Sequence, residues 1–117
     1  MKVIIAGGRE ITDYELVLKA VLNAGFDITA VVSGAAPGVD TMGERFATEA
    51  GLELFKFPAD WDKHGRAAGP IRNRVMGDFA DALIAIWDGK STGTKNMIDY
   101  ATKKGLKVYV ERIDAVD

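Results

Sequence analysis

Between His64 and Met76 the chain reads HGRAAGPIRNRVM, with Arg66, Arg72, Arg74 and the only histidine but no Asp or Glu. The whole chain carries a formal charge of −2, from 15 Lys and Arg against 17 Asp and Glu. A positive patch on a mildly acidic chain points to a discrete anion rather than to a polyanionic surface. Three glycine-rich stretches offer matching chemistry: AGGREIT (6–12), SGAAPGVD (33–40) and WDGKSTGT (87–94). Small residues let a phosphate approach backbone N–H groups, and a helix beginning behind each stretch adds the positive end of its dipole. The candidate ligand contacts are therefore Gly7, Gly8 and Arg9; Ser33, Gly34 and Gly38; Gly89, Ser91, Gly93 and Thr94; and Arg66, Arg72 and Asn73.

Arg72 gains weight from its helical position. Counted at 100° per residue from Ile71, Arg72 falls inside the stripe formed by Ile71, Val75, Phe79 and Met76. A charge facing the interior needs a partner, and a cation in a helix's first turn opposes the dipole. A bound anion removes both costs, as would pairing with Asp40, Asp78 or Asp81. Asp40, in the first turn after SGAAPGV, is either favourable helix-end charge or a contact to ribose hydroxyls. Trp61 and Trp87 offer stacking faces, and Trp61 is the better placed of the two, in the loop beside Arg66. Lys90 and Lys95 are within reach of a phosphate or remain solvated, and His64 reads as an exposed loop residue.

Other chemistry is disfavoured. There is no cysteine, hence no thiolate metal site, cysteine nucleophile or disulfide, and one histidine cannot build a multi-histidine metal site. The G-x-G-x-x-G fingerprint is missing after the first strand, and the second strand ends at Ser33-Gly34 without its acidic residue, so a dinucleotide cofactor is not expected. GKSTGT has the wrong spacing for a Walker A loop. No segment reads as a signal peptide or membrane span, which makes the cytoplasm the default compartment.

The elements that must position these residues follow from alternating apolar runs and helical stretches. Strands are expected at KVIIA (2–6), ITAVVS (28–33), LELFKF (52–57), ALIAIW (82–87) and LKVYVE (106–111). Between them lie four helices. The first is capped by Thr12 in a capping box with Glu15, carries Leu16, Ala20 and Ala24 on one stripe, and stops at Gly25. The second carries Val39, Gly43, Phe46, Ala47 and Ala50 inward and closes at Gly51. The third opens at Pro70 after a long irregular stretch, and the fourth runs from Thr94 to Lys104. Apolar strands alternating with helices imply a Rossmann-like three-layer α/β/α domain over residues 1–117, with a five-stranded parallel sheet ordered 3-2-1-4-5. Ligands settle beyond the carboxyl ends of such strands, where the order reverses.

SGAAPGVDTMGERFA, HGRAAGPIRNRVM and DALIAIWDGKSTGT stand in an order and spacing that resembles the SLOG superfamily, especially its YspA-like branch. That superfamily includes the LOG phosphoribohydrolases and the DNA-processing protein DprA. The resemblance implies a pocket for a nucleotide or nucleotide-sugar ligand. Arg72 and Met76 match the Arg-Lys-x-x-Met segment of the LOG enzymes, whose Arg is catalytic, and Gly93-Thr94 match their phosphate-binding element. The glutamate that assists N-glycosidic cleavage in those enzymes is replaced here by Met97, which leaves Asp40 as the nearest substitute. Binding or sensing of a nucleoside phosphate or ADP-ribose-like molecule ranks first. A phosphoribohydrolase-type N-glycosidase with Arg72 and Asp40 as catalytic residues ranks second. Binding of single-stranded DNA ranks last, against the acidic balance. Homodimerisation is a further expectation of the resemblance.

Overall fold

A computed structural model describes residues 1–114 of the chain. Five strands form one sheet: β1 (Lys2–Gly7), β2 (Ala30–Ser33), β3 (Glu53–Lys56), β4 (Ala82–Trp87) and β5 (Lys107–Arg112). All pairings are parallel and the order is β3-β2-β1-β4-β5, the expected topology. The central strands have almost no exposed residue, which is why they read as unbroken apolar runs. Residues of β1 alternate between two cores. Val3 and Ile5 pack with Val17 and Ala20 of α1 (Tyr14–Ala24) and with Val39, Met42 and Ala47 of α2 (Val39–Ala50). Ile4 and Ala6 pack on the other face with Met76, Ala80, Met97 and Ala101.

Three further helices lie among the described residues: α3 (Trp61–His64), α4 (Ala68–Phe79) and α5 (Thr92–Lys104). The stretch expected to be irregular thus contains a helical turn, continued by a 3-10 turn over Gly65–Ala67. Asp60 starts it by accepting the Lys63 amide on Oδ1 at 3.1 Å. The cap of α1 is Asp13, which accepts from the Glu15 amide at 3.0 Å, rather than Thr12. On that helix Val17 and Ala20 are fully buried, whereas Leu16 and Ala24 are only partly so. In α2, Met42 is buried and Ala50 is exposed.

Helix α4 departs from its expected face in one respect. Its buried residues are Ala68, Gly69, Asn73, Met76 and Gly77, while Val75 is exposed. Arg72 lies on the inward side as expected, but the stripe is centred on Asn73 and Met76. No helix among the described residues is long and apolar enough to cross a membrane.

Candidate functional site

The strand order reverses between β1 and β4, whose carboxyl ends lie side by side with Gly7 opposite Ile86. Beyond them opens a cavity of about 540 Å³, within the usual range of small-molecule sites. Ala6, Gly7 and Arg9 contribute from the end of β1, Ala36 from the β2–α2 connection, Asp40 from the first turn of α2, and Trp61 and Arg66 from the segment before α4. Helix α4 supplies Gly69, Pro70, Arg72, Asn73 and Met76, and the start of α5 supplies Ser91 to Thr94, Asn96 and Met97.

Each side chain is held by identifiable contacts. Arg72 donates through Nε to Asn73 Oδ1 at 3.1 Å and through Nη1 to the carbonyls of Gly34 and Phe57. It forms no ion pair among the described residues. Burial lowers its pKa, Asp40 opposes that effect, and the positive charge of Arg9 adds to it. Among the described residues Nη2 donates to no acceptor and no side-chain nitrogen is both buried and unpartnered, so this end of the guanidinium is accessible. Asn73 is buried and also donates to Asn96 Oδ1 at 2.9 Å and to the Gly93 carbonyl at 3.3 Å. One amide therefore ties α4 to α5 and orients Arg72.

Among the described residues Asp40 is the one carboxylate lining the cavity. It is buried, accepts from the Ala36 amide at 3.2 Å, and has its pKa pushed up to about 6. Burial is the largest cause, opposed by the Ala36 amide and by Arg72, while Glu44 adds to the rise. At the other wall, Asp88 Oδ1 accepts from the amides of Lys90 and Ser91, folding the turn that leads into α5. Ser91 caps the helix by accepting the Thr94 amide at 3.4 Å and shares a 3.0 Å hydroxyl contact with Thr94. Thr92 and Gly93, first in α5, have no carbonyl one turn earlier to bond.

Of the residues singled out from sequence, Gly7, Arg9, Asp40, Trp61, Arg66, Arg72, Asn73, Ser91, Gly93, Thr94 and Met97 come together around the cavity. The others stand behind or beside it. Ser33 is fully buried and donates to Glu44 Oε2 at 2.7 Å. Gly34 supplies a carbonyl to Arg72, and a Cβ there would stand 2.5 Å from Nη1 and 2.7 Å from Asp40 Oδ2. Gly38 has φ +79° and starts α2 against the backbone of Gly8 and Arg9. Gly8 lines a smaller neighbouring recess with Arg9, Asp88 and Lys90. Gly89 has φ +82° and packs on the Arg112 guanidinium. Met97 sits in the cavity wall at 1% exposure, so α5 presents a thioether there. Asn96 lines the cavity too; as a neutral residue in a polar helix start, it gave no signal in the sequence.

A family model described as YspA, cpYpsA-related SLOG matches residues 1–64, a span ending before Arg72. The Gene 61 protein of Mycobacterium phage D29 is 36% identical over 84 residues, covering 67% of each chain. The SPbeta prophage-derived protein YoqJ of Bacillus subtilis (strain 168) is 37% identical over 57 residues, 46% of this chain and 33% of that protein. Among solved structures, DNA processing protein A (DprA) from Streptococcus pneumoniae superposes with a TM-score of 0.76 at 18% identity. The match covers 93% of this chain and 49% of DprA, so the chain spans about half of that protein, and at this identity the likeness concerns the fold.

Proposed function

The chain belongs to the YspA, cpYpsA-related SLOG family, and from that premise we propose that it acts as a single unit binding a nucleotide-derived anion, a nucleoside phosphate or an ADP-ribose-like molecule, in the crevice between α4 and α5. The observation that carries this reading is Arg72. A half-buried guanidinium without an ion-pair partner among the described residues, beside a second arginine that lowers its pKa, is an arrangement that an anion completes. The first amides of α5 and the hydroxyls of Ser91 and Thr94 offer further donors. Calorimetric titration with nucleoside monophosphates, ADP-ribose and NAD tests it. The expected result is binding at micromolar concentration by at least one of them, weakened at least tenfold in Arg72→Ala. Absence of binding below millimolar concentration by all of them removes the reading.

A second reading, N-glycosidic cleavage of a nucleotide, is favoured by Asp40. Its carboxyl shares the cavity with Arg72 and titrates near pH 6, where it can exist in both forms. As carboxylate it would stabilise the positive charge that develops on the ribosyl carbon when the base departs. Met97, in the cavity wall of α5, brings no second carboxylate, which ranks binding above cleavage. Chromatography for released base after incubation with nucleoside monophosphates separates the two readings. Single-stranded DNA binding ranks third, and a gel shift at low ionic strength would promote it.

A further inference from the structure

Trp61 is the one aromatic residue among those lining the cavity, and 48% of it is exposed. Its backbone is fixed, since it begins the helical turn capped by Asp60 and its carbonyl accepts from the Gly65 amide. The Arg9 guanidinium lies over the ring at 5.6 Å from its centroid, so this indole face already engages a planar cation. Gly69, one turn before Arg72 on α4, borders the ring: a Cβ there would stand 3.4 Å from the outer ring carbon Cη2. Trp87 also has a guanidinium over its ring, but it differs in placement and in its hydrogen bond. It is outside the cavity lining, its Nε1 donates to the Ser91 carbonyl at 3.1 Å, and its ring packs with Arg112.

We propose that Trp61 is the platform on which the ligand's aromatic base stacks while its phosphate lies against Arg72 and the Ser91–Thr94 turn. This rests on the crevice's taking a nucleotide-derived ligand, and it adds what selects that ligand. Stacking on a π-face tolerates every base. The site therefore prefers sugar phosphates that carry a base over those that do not, and discriminates little among the bases themselves.

Calorimetry with four nucleoside 5′-monophosphates and with ribose 5-phosphate, on wild type, Trp61→Ala and Trp61→Phe, tests the assignment. The expected result is tighter binding of all four nucleotides than of ribose 5-phosphate. Trp61→Ala should weaken the nucleotides by about 5- to 100-fold, leave ribose 5-phosphate unchanged, and be largely rescued in Trp61→Phe. Tryptophan emission of Trp87→Phe, in which Trp61 is the one tryptophan left, should respond to the nucleotides and not to ribose 5-phosphate. If wild type binds nucleotides but Trp61→Ala weakens nucleotide and sugar phosphate equally, or neither, Trp61 is not the platform and the crevice reading survives. If wild type binds neither nucleotide nor sugar phosphate, both fall together.

Discussion

Asp40 and Arg72 approach the same glycine from two sides, since a methyl on Gly34 would meet Nη1 of one and Oδ2 of the other. They share that space without forming an ion pair, so neither charge is neutralised by direct contact. The cost shows on Asp40, where burial outweighs the Ala36 amide and Arg72 and holds the pKa at about 6. Folding raises this pKa, so as pH falls below about 6 the native chain takes up a proton that the unfolded chain takes up only nearer pH 4. The ionised carboxylate therefore costs stability above about pH 6, and the cost disappears as pH falls to about 4. Asp40→Asn should gain on the order of 2 kcal/mol at pH 8 and nothing at pH 4, measured by denaturant unfolding at both values. An equal change at the two pH values would mean that Asp40 does not titrate in this way. The inward placement of Arg72 was legible from helical spacing because a guanidinium inside an apolar stripe is conspicuous. The roles of Ser33 and Gly34 behind the cavity were not, because a glycine-rich turn reads alike whether its amides face a ligand or its carbonyl faces an arginine.

At the scale of elements, the start of α5 separates a demand of the fold from a demand of the site. Nothing stands within 4 Å of the place a Cβ would take at Gly93. An alanine there suits the helix better than glycine, by roughly 0.5–1 kcal/mol in a helix interior and less in this first turn. The added methyl nevertheless stands in the cavity wall, where a phosphate would meet the backbone. Gly93→Ala should therefore melt at or slightly above the wild-type temperature while binding nucleotides at least tenfold more weakly, as thermal unfolding and calorimetry would show. A variant that binds as well as wild type places the phosphate elsewhere. The five strands were readable because buried parallel strands are continuous apolar runs. Helix α3 was not, since four residues hold too little of a 3.6-residue period to register. Helix α4 begins at Ala68, two residues before Pro70, because first-turn amides have no helical carbonyl to bond and a proline there forfeits nothing. The exposed Val75 misled the face assignment by its side chain alone; the buried stripe is centred instead on Met76 and on Asn73, which is bonded to both Gly93 and Asn96.

For the whole molecule, parallel pairing and the order β3-β2-β1-β4-β5 bring the four connections that follow β1, β2, β3 and β4 to one end of the sheet. Residues as distant in sequence as Gly7, Asp40, Arg72 and Gly93 thereby share one cavity on a chain whose net charge is −2. On the proposed reading, attraction for an anion is confined to that spot rather than spread over the surface. The same confinement makes the account's central claim directly measurable. Amide and arginine side-chain resonances, followed by two-dimensional NMR while a nucleoside monophosphate is titrated in at constant pH, report where the ligand sits. The account predicts shifts concentrated at Gly7, Arg9, Thr92, Gly93, Thr94 and the Arg72 guanidinium, with Leu22 on the exposed side of α1 and the β3 edge unmoved. Shifts centred away from the ends of β1 and β4, or an unchanged Arg72 at saturating ligand, would contradict it.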